Sequence, residues 1–243
     1  MKEKVQWNPR FVNTRNVNSF AALMDGLRLS KGGRGEGDER LGCVFGRAGR
    51  GKTRTVHGWA ANHGAIYLET AIVWSELDLL RALCRELGVR QIPGRRGQAF
   101  AEAVDQLLVT PRVVFFDEIE RFGQRMLEVI RDIAKVTGGI IVLVGEEELP
   151  HLMKQNRRMW SRTYQAMEFE PTSPADIVAF VHQTTGLKLT AEALSVMHKA
   201  SGGDLRIIRR DTINLVHVVN SMDREGDVSK ETAEIAVKSG LQG

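Results

Sequence analysis

A chain of 243 residues and 27.1 kDa can bury one large core and a small satellite, and no stretch approaches the roughly 18 uninterrupted apolar residues of a membrane-spanning helix. The formal net charge of +4 and pI near 9.2 permit a nucleic-acid partner without requiring one, and two cysteines with six scattered histidines give no metal-binding spacing. The opening MKEKVQWNPR lacks the apolar run of a secretory leader, so a cytoplasmic location is expected.

In chain order, Phe20, Leu23 and Leu27 recur on one face and predict a helix over 18–29, followed by a Gly/Arg-rich loop at 31–37 that carries Lys31 and Arg34. LGCVF at 41–45 reads as a short buried strand. GRAGRGKT follows at 46–53, a full G-x-x-x-x-G-K-[ST] pattern, and a helix is expected over 52–62. Strand, loop and helix together are the context that turns this pattern into a phosphate site. Gly46, Gly49 and Gly51 let the loop curl so that backbone N–H groups point at a β-phosphate, and the helix start adds its positive dipole end. Lys52 is expected to reach the β- and γ-phosphates and Thr53 to ligate Mg²⁺. Ala48 and Arg54 complete the candidate cradle. Arg47 and Arg50 sit at its free positions, either solvated or available to phosphate or to a neighbouring subunit.

A second short strand is expected at 65–68. The helix predicted over 74–87 carries Leu77, Leu80, Leu83 and Leu87 as a core-facing stripe. The loop at 88–97 brings Arg90, Arg95 and Arg96 together, and a helix over 98–108 leads to the apolar run Val113-Val114-Phe115-Phe116. Such a run fits a strand buried on both faces of a parallel sheet. The carboxylates of Asp117 and Glu118 then fall at its C-terminal tip, where open α/β sheets bind ligands. Asp117 is placed to hold the Mg²⁺ shell and Glu118 to orient or deprotonate an attacking water, so ATP hydrolysis to ADP and phosphate is the expected reaction.

A helix at 122–136, a strand at 139–144 and a last strand at 166–169 continue the alternation, which implies a parallel sheet covered on both faces. Pro171-Thr-Ser-Pro174 marks a boundary, beyond which only helical patterns occur, at 174–185, 191–199, 204–220 and 230–238. The expected organisation is an N-terminal helix and basic loop (1–37), an α/β nucleotide-binding core (38–171) and a small helical lid (172–243).

Taken in order, the phosphate loop, the strand ending in Asp117-Glu118, the strand IIVLVG, the arginine-bearing NRRMWSR and the lid segment GGDLRII resemble the AAA+ ATPases, a class of P-loop NTPase. The Gly-Gly-x-Leu-Arg lid motif and the V-G-x-x-E-L turn are most similar to the MuB, TnsC and IstB branch of DNA-transposition regulators. The resemblance implies that residues 46–53 match the Walker A element and Asp117 with Glu118 match Walker B. It puts Glu146 at the position of a polar sensor, where an ionised carboxylate cannot donate to a γ-phosphate, so another residue serves or Glu146 acts indirectly. An arginine acting on a neighbouring subunit's nucleotide is expected from Arg157, Arg158 or Arg162, and Arg206 is similar to the lid's second sensor. The resemblance further implies ATP-bound homo-oligomers, as a filament or ring, on double-stranded DNA without sequence preference, delivering that DNA to a DDE transposase. No membrane partner is implied. Arg90, Arg95, Arg96, Lys31 and Arg34 are the expected DNA contacts. About forty residues precede the first strand, so a compact member, or a relative from another mobile element, without the N-terminal helix-turn-helix region of MuB is expected. The competing reading is an AAA+ ATPase acting on a protein assembly, such as a replicative helicase loader, and a nucleotide-gated scaffold that scarcely hydrolyses is a third.

Overall fold

The computed structural model describes residues 4–30, 40–222 and 226–240. The expected loop at 31–37, with Lys31 and Arg34, lies outside them. The elements run α1 (Arg15–Leu29), β1 (Arg40–Phe45), α2 (Lys52–His63), β2 (Ile66–Glu69), α3 (Glu76–Glu86), α4 (Arg96–Val109), β3 (Val114–Asp117), a 3-10 turn (Ile119–Arg121), α5 (Gln124–Thr137), β4 (Ile140–Val144), α6 (Leu149–Gln155), α7 (Arg157–Trp160), β5 (Thr163–Glu168) and then α8 (Pro174–Thr185), α9 (Ala191–Ser201), α10 (Leu205–Met222) and α11 (Lys230–Ser239). Two compact units emerge, one from Phe20–Arg47 and Lys52–Phe169, the other from the described residues of Met1–Ser19, Ala48–Gly51 and Glu170–Gly243.

The first unit is a five-stranded parallel sheet in the order β2-β3-β4-β1-β5. Strand residues alternate between its faces. Cys43, Phe116 and Leu143 join one core cluster with Leu80 and Leu83 of α3, Ala103 of α4 and Ile130 of α5. Val44, Phe115 and Val142 join a second with Phe20, Leu23 and Leu27 of α1 and Val56 and Ala60 of α2. The central strands β3 and β4 are buried at every residue, as expected of apolar runs covered on both sides. β5 is an edge strand, and Tyr164 on it is exposed.

The second unit packs α8 to α11 around Ile177, Phe180, Met197, Ile208, Leu215 and Ala233. Val12 is buried in that cluster, and Val5 and Trp7 pack against it. Asn220 ties the N-terminal segment down by accepting from the Val5 N–H at 2.9 Å and donating to the Val5 carbonyl at 2.8 Å. The expected grouping of residues 1–37 follows chain order, because nothing in a short irregular segment signals a partner some two hundred residues away. Among the described residues after 172, the elements are the helices α8 to α11 and one isolated parallel bridge, Leu189 with Val228.

Several boundaries differ from expectation, with α1 starting at Arg15 and β5 at Thr163, each three residues early. Helix α4 starts at Arg96, inside the expected arginine loop, because its N-cap Arg95 offers no side-chain capping bond that sequence could reveal. The helix expected at 122 is preceded by the 3-10 turn and begins at Gln124, behind Gly123. Helices α6 and α7 are too short to show a periodicity.

Candidate nucleotide site

The phosphate-loop glycines adopt backbone conformations that L side chains rarely reach, with φ of 138° at Gly46, 81° at Gly49 and 91° at Gly51. At Gly46 space is also decisive, since a Cβ would lie 2.7 Å from the Phe169 carbonyl oxygen. Lys52 is buried, and its ammonium folds back to donate to the carbonyls of Gly46 at 2.5 Å and Arg47 at 3.0 Å. Burial lowers its pKa from the ordinary lysine value, while Glu146, Asp117, Glu120 and Glu118 oppose that shift. One cation thus faces four carboxyl groups.

Asp117 ends β3 at 2% exposure, where a carboxylate needs hydrogen-bond donors to be tolerated. Its Oδ2 accepts from the Thr53 hydroxyl at 2.9 Å and the Tyr67 phenol at 2.6 Å, and its Oδ1 accepts from the Glu118 N–H at 2.9 Å. Burial first, and the Asp117 bond second, push the Tyr67 pKa far above the ordinary phenol value, so Tyr67 remains a donor at any working pH. Thr70 secures the backbone, its hydroxyl donating to the carbonyls of Asp117 at 2.8 Å and Glu118 at 3.1 Å. A hydroxyl and a carboxylate oxygen converging beside this many negative charges form a donor set that suits Mg²⁺.

Glu118 is the one non-glycine residue with positive φ among the described residues, at 62°, and its carboxylate pairs with Arg121. A left-handed backbone at an acidic residue is strain that the Thr70 bonds help to hold. Glu120 lies beside the tip of β4. A Cβ on Gly145 would collide with its carboxylate, and burial raises the Glu120 pKa. Glu146, one residue on, is exposed.

In the other unit the loop residues Ala48–Gly51 meet the start of α10. Leu205 donates its N–H to the Gly49 carbonyl at 2.8 Å, and Arg50 donates to the Gly202 carbonyl at 2.9 Å. Asp204 accepts from the N–H groups of Arg206 at 2.7 Å and Ile207 at 3.4 Å, capping the helix. It also occupies the place a Cβ on Gly49 would need. The Arg206 side chain is 69% exposed and pairs loosely with Asp204 at 3.5 Å.

The AAA domain family matches residues 35–153. Over 179 residues, 69% of the chain, the sequence is 31% identical to the Mu-like prophage FluMu DNA transposition protein B of Haemophilus influenzae, covering 62% of that protein. The ATP-dependent target DNA activator B of Escherichia phage Mu is 27% identical over 70% of the chain and 55% of its own length. The chain is thus similar to transposition proteins of the MuB kind, with an AAA domain over about half of its length. The matched stretch spans little more than half the length of these relatives. The same fold occurs in Cdc6p of Pyrobaculum aerophilum, with TM-score 0.66 and 16% identity over 96% of this chain and 72% of that one. It occurs also in the Aeropyrum pernix ORC2 protein in its ADP form, with TM-score 0.67 and 17% identity over 96% and 70%.

Lys52 and Thr53, expected from the sequence to hold phosphate and metal, and the expected acids Asp117 and Glu118 come together at the tips of β1 and β3. The remaining sequence candidates lie apart or are already engaged. Arg47 pairs with Glu147 at 3.7 Å, and Arg54 is exposed on α2. Arg157 and Arg158 are exposed on α7, and Arg162 donates to the Arg158 carbonyl at 2.9 Å just before β5. Arg90 and Arg95 are exposed, whereas Arg96 is bound to Glu76 at 2.6 Å. Sequence reasoning missed Tyr67, Thr70, Arg121 and Asp204. Tyr67 left a signal as a phenol on a half-buried strand that must find a hydrogen-bond partner, and Asp204 as an N-cap residue type at the start of the helix expected from 204.

Proposed function

We propose that the chain binds ATP with Mg²⁺, hydrolyses it, and in its ATP form assembles on double-stranded DNA without reading sequence, presenting that DNA to a DDE transposase. The observation that carries the reading is the meeting of the Thr53 hydroxyl with the Asp117 carboxylate beside Lys52, with Glu118 following directly. The names of the relatives, a DNA transposition protein and an ATP-dependent target DNA activator, support its second half.

The chemistry follows from the residues. Lys52 exchanges its two loop carbonyls for phosphate oxygens and stabilises charge as the terminal P–O bond breaks. Thr53 and Asp117 would hold Mg²⁺, which supplies charge neutralisation at the phosphates. Tyr67 and Thr70 keep Asp117 in place. Glu118 orients the attacking water and accepts its proton, for which the carboxylate must leave Arg121. Arg206 of the lid, and one of Arg157, Arg158 and Arg162 from a neighbouring copy, are the cations proposed to read the γ-phosphate. Arg90, Arg95, Arg96, Lys31 and Arg34 are the proposed backbone contacts, since binding that ignores sequence needs phosphate contacts rather than base readout. Work in the cytoplasm of a bacterial or phage-infected cell fits relatives from a prophage and a phage.

The test is fluorescence anisotropy on random-sequence duplex DNA across a salt series, with ATP, ADP or no nucleotide. Tight, salt-sensitive binding that requires ATP is expected. No DNA binding in any nucleotide state would overturn the reading in favour of a protein-directed ATPase.

A further inference from the structure

Outside the nucleotide site, three elements of the sheet unit converge on one carboxylate. Glu76 opens α3, within the capping box that Ser75 and Asp78 form, and its side chain is 18% exposed. Its Oε2 takes Nη1 of Arg96, the first residue of α4, at 2.6 Å. Its Oε1 takes Nε of Arg125, the second residue of α5, at 2.8 Å. Each carboxylate oxygen therefore fixes one guanidinium, and each guanidinium carries five N–H donors. The two arginine side chains remain 52% and 75% exposed, so most of those donors stay open to water.

A surface ion pair of this kind adds little stability, because two long side chains must be ordered in a high dielectric. That same ordering is an advantage for a ligand, since the rotamer entropy of both arginines is partly spent before anything binds. Two cations around one anion leave a surplus positive charge in a planar, forked geometry that matches phosphate oxygens.

We propose that Glu76 holds Arg96 and Arg125 side by side as a two-guanidinium fork for the sugar–phosphate backbone of duplex DNA, an inference that rests on the DNA-binding reading above. Arg125 carries no motif that sequence reading could find. A polynucleotide fits better than a lone phosphate for two reasons. The surplus of one charge is too weak to hold a single anion in water, whereas repeated phosphates add their counterion release. Ile72 and Val73, 73% and 84% exposed, precede Glu76 by four and three residues, a chain distance under roughly 15 Å, and offer an apolar surface to the sugars between phosphates.

The experiment compares the salt dependence of binding to random-sequence duplex DNA, in the presence of ATP, for the parent protein, Arg125→Ala, Arg96→Ala, the double variant, Arg125→Lys, and Arg85→Ala as a charge control from the exposed last turn of α3. Melting temperature and ATP affinity are measured alongside to show that each variant is folded. Each alanine in the fork should lower the slope of log affinity against log salt by about 0.9, the double variant should lose about twice that, Arg125→Lys should restore the slope, and Arg85→Ala should leave it unchanged. A parent protein that binds DNA while Arg125→Ala keeps its slope would overturn the fork and leave the functional reading intact. A folded parent that binds no DNA would overturn the functional reading and the fork with it.

Discussion

The strand-tip acid and the lid arginine contrast sharply in how tightly the protein holds them. Asp117 is 2% exposed and accepts from Thr53, Tyr67 and the Glu118 N–H, with Thr70 securing its backbone. Arg206 is 69% exposed and has one carboxylate at 3.5 Å, supplied by the residue that caps its own helix. The difference teaches that the group expected to position the metal is fixed before any ligand arrives, whereas the group expected to sense phosphate is left free to respond to it. Glu118 lies between these extremes, held in a left-handed backbone and paired to Arg121.

The largest expected effect lies in the tightly held half. Replacing Lys52 by alanine should remove the proposed charge-assisted bonds to phosphate, worth about 1.5–3 kcal/mol each, so ATP affinity should fall by about a hundredfold in a fluorescent-nucleotide titration. A Lys52→Ala protein that still formed the DNA-bound oligomer would break the ATP-gated account. Glu118→Gln should retain ATP affinity within about twofold and lose turnover by about 10²–10⁴-fold in a phosphate-release assay. Hydrolysis at the parent rate would remove Glu118 from the mechanism.

Tyr67→Phe sharpens the comparison, because it deletes one of the bonds that fix Asp117 without touching the nucleotide motifs. Loss of a bond to a charged group should raise the Mg²⁺ concentration needed for half-maximal nucleotide binding by about tenfold. An unchanged Mg²⁺ requirement would show that Thr53 and the backbone suffice. The smallest effect on stability belongs to the loosely held half. Arg206→Ala should change folding stability by less than about 0.5 kcal/mol in urea melts, because its pairing is exposed, yet it should weaken the response to ATP over ADP. Asp204→Ala should cost about 1 kcal/mol by uncapping α10.

The same contrast governs what could be read from the sequence. Residues 46–53 and Asp117-Glu118 were legible because phosphate chemistry demands those residue types at those spacings, and the alternation of apolar runs gave the parallel sheet that brings them together. Tyr67, Thr70 and Arg121 were not, since their roles depend on strand register and on the turn after β3, which no local pattern encodes. The fork around Glu76 was half legible. Arg96 stood in an evident arginine cluster, but its partner carboxylate lies twenty residues earlier and Arg125 twenty-nine later, joined only by packing of α3, α4 and α5. The anchoring of Val5 and Trp7 in the lid core was hidden for the same reason.

The measurement that tests the central claim most directly is negative-stain microscopy of the protein mixed with long duplex DNA and ATP, ADP or no nucleotide, with Glu118→Gln alongside. The account predicts protein-coated DNA with ATP alone, and coats on the Glu118→Gln protein that outlast those of the parent. Identical coats in all three nucleotide conditions, or bare DNA in every one, would contradict it.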